Sequence, residues 1–227
     1  MNKASVTDDQ RLTWKRNYFR IRSIHNAIGI AMRYRITSEG ELPTTNPTLI
    51  MAAHQTTIDH LALMKIIPGY LAFVFSVEFP LNRKLQRFAD AMGAVLIRRP
   101  KDYSAQLIQY KRLFRHFDND GIVVGFPQGN QQHSEVSTVN SGLVRLVEMY
   151  EKQTGRQISI VPTGIAYESP RGGLRLIRSP MLRIPSFKTQ ITVNFGESQY
   201  LTSKTPEKLT EIVMREAAAL SNIPYRA

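Results

Sequence analysis

The sequence predicts a single α/β domain, built on a mostly parallel mixed sheet flanked by helices and preceded by a basic helical N-terminal extension. Three observations carry that reading. Short β-branched or aromatic runs alternate with longer stretches of helical periodicity. The 227 residues, 42% of them hydrophobic, suffice for one sizeable core, and no segment resembles a flexible interdomain linker. From Gln10 to Ser38 there is no acidic residue, while arginines and lysines interleave with aromatic and aliphatic side chains. The expected division is therefore an extension over 1–40 and a domain over 41–227.

In the extension, Arg11, Lys15, Arg16, Arg20 and Arg22 alternate with Trp14, Tyr18, Phe19 and Ile21. Such a basic amphipathic helix suits the interface of an anionic membrane, and equally suits a helix whose apolar side packs on its own domain. Short runs bounded by turn residues give strands at Thr48 to Ala53, Leu71 to Val77, Ala94 to Ile97, Gly121 to Phe126, Ile158 to Ala166, Leu174 to Ile177 and Gln190 to Phe195. Between them, helical spacing marks Thr57 to Ile67, Leu81 to Met92, Ser104 to Phe117, Ser141 to Gln153 and Pro206 to Leu220. In the third of these, Leu107, Tyr110, Leu113, Phe114 and Phe117 read as a core stripe. This order implies a mainly parallel sheet whose last two strands add an antiparallel edge. Sites in such sheets lie outside the carboxyl ends of the strands.

Cysteine is absent, which excludes disulfides, thiolate metal sites and a thiol nucleophile. No signal peptide is evident, and the apolar neighbourhood Leu61 to Val77 is interrupted by Lys65, Pro68 and Gly69, so it does not read as a spanning helix. The expected setting is cytoplasmic and peripheral to the membrane. Net charge is +12. Further basic clusters, Arg83-Lys84 with Arg87 and Arg98-Arg99 with Lys101, would attract phosphate-bearing ligands or an acidic carrier protein. A basic chain with interleaved aromatics also fits nucleic acid, but no nucleic-acid module motif is visible and none is expected to bind.

His54-Gln55-Thr56-Thr57-Ile58-Asp59 directly follows the apolar run at Thr48 to Ala53. A strand-end histidine whose tautomer is fixed by a carboxylate is the minimal equipment for general-base catalysis on a hydroxyl or amine. On a continuous helix, five positions rotate a side chain by roughly 140°, so His54 must precede the helix, with Thr56 or Thr57 as N-cap and Asp59 in the first turn. A strand-end histidine hydrogen-bonded only for structure fits the same spacing.

Three further segments follow in order: Gly93 to Arg99, Val123 to Asn130, and Ile160 to Ile165. Together with His54 to Asp59 they resemble the four ordered motifs of the glycerolipid acyltransferase superfamily, lysophosphatidic acid (1-acylglycerol-3-phosphate) acyltransferase type. The resemblance covers roughly Pro47 to Gly196. It implies acyl transfer from an acyl thioester, acyl-CoA or acyl carrier protein, to an acceptor hydroxyl, with His54 as base, Asp59 as its orienting partner and no tightly bound cofactor. It also implies a phosphate-binding role for Arg99 and substrate-binding roles for Phe126, Pro127, Gln128, Gly129, Asn130 and Pro162. The oxyanion would be met by backbone groups around Gly129 or at the helix start after His54.

The chain departs from the family's third motif, usually Phe-Pro-Glu-Gly-Thr-Arg: Gln128 replaces the glutamate, Asn130 the threonine and Gln131 the arginine. Gln131 cannot make the bidentate phosphate contact of a guanidinium. A neutral hydroxyl or amine acceptor tolerates these changes better than a phosphomonoester does. The rival readings are an ordinary lysophosphatidic acid acyltransferase of phospholipid synthesis and a catalytically degenerate lipid- or membrane-binding protein. His60, His116 and His133 lack metal-ligand spacing, so no metal site is expected. Ser134 and Ser141 lack a nucleophile-elbow pattern.

Overall fold

Thr48–Ala52 (β2) is buried along its whole length, as a parallel strand must be when helices cover both faces of its sheet. It is the centre of a seven-stranded sheet in a computed structural model that describes residues 18–20, 22, 23, 26, 27, 29–42, 47–77, 94–98, 103–129, 134–170, 176–178 and 183–227. The expected helix Leu81 to Met92, with Arg83, Lys84 and Arg87, lies outside these residues, as do Lys101 and His133.

On one side β2 pairs in parallel with Ile122–Gly125 (β5), which pairs with Leu71–Val77 (β3), and β3 with Ala94–Arg98 (β4). On the other side it pairs in parallel with Ser159–Glu168 (β6). Gln190–Phe195 (β9) then runs antiparallel to β6. Arg35–Glu39 (β1) closes that edge parallel to β9. The strand order is β1-β9-β6-β2-β5-β3-β4.

One sequence expectation is corrected at this edge. Of the two late strands expected to form an antiparallel edge, only β9 joins the sheet, and β1 covers it. Leu176–Arg178 (β7) pairs instead with Arg183–Pro185 (β8) in a separate two-stranded sheet. The sheet thus begins within the 1–40 stretch. The physical reason β1 was hidden is its exposure: Arg35, Ser38 and Glu39 face solvent, so the strand is held by main-chain pairing and shows no apolar run.

Helix Asp59–Ile66 (α1) covers one face, where Leu61, Leu63 and Met64 pack with Ile50, Phe73 and Val193. Tyr18 from the N-terminal segment is fully buried in the same layer, edge-on to Tyr70 at 4.7 Å between ring centroids. The opposite face is covered by Tyr103–Asp118 (α2), Gly142–Thr154 (α3) and Pro206–Leu220 (α4), which pack Leu113, Phe117, Val144, Tyr150, Val213 and Met214 over Leu49 and Met51. Full burial of each such side chain contributes about 1.5–3 kcal/mol. In α2 the expected stripe holds from Tyr110 to Phe117, whereas Leu107 is exposed. His116 on this helix donates from Nε2 to the Ile122 carbonyl at 3.0 Å, and burial depresses its pKa to about 4.

Local chemistry sets the helix ends. Gly155, with φ of 70°, stops α3 in the left-handed conformation, its N–H donating to the Glu151 carbonyl at 2.8 Å. Thr205 caps α4 by accepting from the Lys208 N–H, and Pro206 occupies the first turn.

Helix α4 lies tight on β6 because Gly164 has no side chain: a Cβ there would stand 2.3 Å from the Leu220 carbonyl carbon. Gly164→Ala is therefore expected to force the end of α4 outward and to cost about 1–3 kcal/mol, read as a lower melting temperature. An unchanged melting temperature would show that the helix end shifts freely.

Candidate active site

The carboxyl ends of β2, β5 and β6 bring three segments together. The chain leaves β2, turns at His54 and enters α1 at Asp59. The helix is preceded by Ile58 at the cap position with no side-chain cap bond, so neither Thr56 nor Thr57 fills the expected N-cap role. Thr56 instead uses its hydroxyl inside the turn, accepting from the Ile58 N–H at 3.3 Å and donating to Asp59 Oδ1 at 2.8 Å.

Asp59 is fully buried and is the hub of the turn. Its Oδ2 accepts from His54 Nδ1 at 2.7 Å, from the Gln55 N–H at 2.7 Å and from the Thr56 N–H at 3.0 Å. Its Oδ1 accepts from the Thr56 hydroxyl and from the hydroxyl of Tyr167, at the far end of β6. Burial is the strongest single influence on this carboxyl and opposes its charge. The hydrogen bond and charge of His54, then Tyr167 and Thr56, outweigh it and hold the pKa below its ordinary value. Tyr167, itself buried and facing that negative charge, is held well above the ordinary phenol value.

An ionised carboxylate only accepts, so the proton between the pair sits on His54 Nδ1 and the lone pair lies on Nε2. The His54 side chain is 12% exposed. Phe126 lies against its ring at 4.4 Å between centroids, and His60 meets it edge-on at 5.5 Å. The main chain of His54 is fixed too: its N–H donates to Oε1 of Gln128, which is buried at 6% exposure.

After β5, Phe126, Pro127, Gln128 and Gly129 form a turn closed by the Gly129 N–H on the Phe126 carbonyl at 3.1 Å, with Gly129 at φ of 75°. The structure thus brings Phe126 and Gln128 directly onto His54. Pro162 is placed elsewhere: it sits mid-strand in β6, paired with Met51 and accepting from the Gly196 N–H at 2.9 Å. Asn130, Gln131 and Arg99 lie outside the described residues.

Sequence reasoning missed Gln55, Thr56 and Tyr167 as members of this network. The first two sit inside the motif, but their contribution is made through backbone N–H groups and a hydroxyl, which spacing does not reveal. Tyr167 is 108 residues from Asp59, and only the β6 alternation that puts it on the face of Ile165 hints at its direction.

Removing its hydroxyl gives a measurable result. Tyr167→Phe deletes one donor to a charged acceptor, an interaction worth about 1.5–3 kcal/mol. We expect lower stability and a several-fold fall in kcat. A variant equal to the wild type in both would show that the Thr56 hydroxyl alone suffices.

Comparison with known proteins agrees with this architecture. Residues 33–166 match the model of the Acyltransferase family, which is more than half of the chain. The chain belongs to that family and is an acyltransferase-family enzyme, with His54 and Asp59 in the family's His-X4-Asp arrangement. Among solved structures it is similar to the 1-acyl-sn-glycerophosphate (LPA) acyltransferase PlsC from Thermotoga maritima, with a TM-score of 0.58 and 14% identity. That match covers 95% of this chain and 84% of the other, and at this identity it is a likeness of fold. No curated protein matches by sequence.

Proposed function

We propose that the protein transfers an acyl group from an acyl thioester, acyl-CoA or acyl carrier protein, to a hydroxyl or amine acceptor, with His54 as general base and Asp59 as its orienting partner. The observation that carries this reading is the buried Asp59 carboxylate on His54 Nδ1, which leaves Nε2 as the basic nitrogen. In the proposed reaction, Nε2 takes the acceptor's proton as its oxygen or nitrogen attacks the thioester carbonyl. The tetrahedral intermediate then collapses, expelling the thiolate, which takes up the proton. Asp59 stabilises the transient imidazolium. Phe126 shields one side of the ring, and Gln128 holds the backbone from which the imidazole projects.

The loss of a motif arginine at Gln131 supports an acceptor without a phosphomonoester beside its nucleophile. Gln128 does not weigh the same way: its side-chain oxygen is spent on the His54 N–H, for which glutamine and glutamate both offer an acceptor oxygen. The fold shared with PlsC makes lysophosphatidic acid the acceptor to test against. Purified protein incubated with labelled acyl-CoA or acyl carrier protein and a panel of alcohols, amines and lysophosphatidic acid decides the matter. Turnover with a neutral alcohol or amine above that with lysophosphatidic acid supports the proposal, and the reverse order supports ordinary phospholipid synthesis. No turnover with any pair would favour a degenerate lipid-binding protein.

Membrane attachment is part of the proposal. Among the described residues no helix is long and apolar enough to cross a bilayer. The N-terminal segment leaves Phe19 and Ile30 exposed at 48% and 77%, beside the exposed Arg20. Binding to anionic vesicles should weaken as salt rises, since attraction between exposed charges is screened beyond about 10 Å at 0.1 M. Equal binding to neutral and anionic vesicles, or tighter binding to DNA, would overturn this part.

A further inference from the structure

The imidazole of His54 has an aromatic ring on its face as well as a carboxylate on its edge. Strands β2 and β5 are parallel neighbours with Met51 opposite Gly125, so the segments that leave their carboxyl ends, carrying His54 and Phe126, emerge side by side. The two rings stand 4.4 Å apart between centroids, with 33° between their planes. At that separation two nearly parallel rings cannot lie side by side in one plane, so Phe126 presents its face to the imidazole. The turn that carries Phe126 is fixed along its length. The Gly129 N–H closes it on the Phe126 carbonyl at 3.1 Å, the Asn140 N–H holds the Pro127 carbonyl at 2.9 Å, and Gln128 Oε1 holds the His54 N–H.

The face of a phenyl ring is negative and its edge positive, so a cation within about 6 Å of the ring centroid is attracted to that face. His54 becomes a cation whenever Nε2 takes up a proton. Its side chain is only 12% exposed, so little water screens the contact. The groups around it come from three elements. Helix α1 brings Asp59, on Nδ1 at 2.7 Å, and His60, edge-on at 5.5 Å. The turn after β5 brings Phe126 and Gln128, neither of which titrates. Strand β6 brings Tyr167, which bonds to Asp59. The carboxylate thus meets the imidazole at a ring nitrogen and Phe126 meets it across the ring plane, so the two can favour the charged form together.

We propose that Phe126 is a positioning residue that acts through His54, favouring its protonated form by a cation–π contact. The catalytic consequence rests on His54 being the general base: the charge that Nε2 acquires during transfer is then met by the Asp59 carboxylate and by the Phe126 ring. A steric wall would need only the size of the phenyl group. This role needs its electron density.

Fluorinated phenylalanines separate the two, because successive ring fluorines draw charge away from the face while adding little volume. The full chain carrying mono-, di- or trifluorinated phenylalanine in place of Phe126 is compared with the wild type, and with Phe126→Leu, which is apolar but has no ring. Protonation of His54 is followed by NMR of its ring nuclei as pH is varied, and melting temperatures establish folding. The contact stabilises the protonated ring, so weakening it should lower the titration midpoint stepwise, by about 0.5–1 pH unit in the trifluorinated and leucine proteins. Turnover should follow the same order, with kcat lower by about two- to tenfold at the end of the series. The same fluorinated series at Phe75, which stacks on His60 at 4.8 Å, is the control and should leave the His54 midpoint in place. An unchanged midpoint across the folded Phe126 series, or an equal fall in the Phe75 series, would overturn the proposal. The titration needs no substrate, so failure of the acyl-transfer reading leaves its result standing.

Discussion

Replacing His54 with alanine is expected to lower kcat for acyl transfer by about 10²–10⁴ while the protein stays folded and binds its acyl donor. The side chain is mostly buried but makes one hydrogen bond, to Asp59, and packs on Phe126 and His60, so its loss leaves a small gap beside a turn that other groups still hold. The Gln128 contact survives because it is made to the His54 backbone. Circular dichroism and calorimetry would establish folding and donor binding, and single-turnover transfer would establish the chemistry. Retention of most turnover in a folded His54→Ala protein would remove histidine from the mechanism.

Asp59→Asn is expected to separate chemistry from folding more sharply still. Of the five donors on Asp59, three are N–H groups on Oδ2 and two are hydroxyls on Oδ1. An asparagine can keep its oxygen toward the N–H groups and turn its NH2 toward Thr56 and Tyr167, whose hydroxyls can rotate to accept. Folding should therefore survive with a modest loss. The imidazolium formed during transfer then has no counter-charge, and activity should fall on the order of 10²–10⁴. Asp59→Ala, by contrast, strands buried donors and should destabilise by about 3–5 kcal/mol. The wild type also carries a pH signature. Because the folded protein holds the Asp59 carboxyl below its unfolded pKa, the associated stability is present above the unfolded value of about 3.9 and is lost as pH falls through the lower, folded one. Asp59→Asn should melt with that part of the acid dependence absent. A variant as active as the wild type would reduce Asp59 to a structural hub.

Much of this site was legible in the sequence because its core is local. His54 and Asp59 are five residues apart, and the requirement that they face each other dictated a strand end followed by a helix start, which the structure has. Strands β3 and β9 and helix α4 match their expected bounds because each has a clear period between turn residues. What the sequence hid depends on partners far along the chain. Tyr167 reads as one more aromatic on a buried strand until β6 is laid beside β2. Gln128 reads as a substrate contact because it stands in a motif, yet its oxygen is turned back onto the protein's own backbone. Strand β1 escaped notice because parallel pairing with β9 asks for main-chain geometry and leaves its side chains free to be polar.

The division of the Asp59 network into near and distant partners has a consequence for how the site comes into being. The bonds to His54, Gln55 and Thr56 close a loop of only a few residues, which costs little chain entropy and can form before the sheet is complete. The bond from Tyr167 spans 108 positions and exists only once β6 has docked. The imidazole can thus find its carboxylate early in folding, but the pair becomes rigid in the same cooperative step that assembles the sheet. Any partial opening that detaches β6 from β2 would loosen the dyad before it unfolds the turn that contains it.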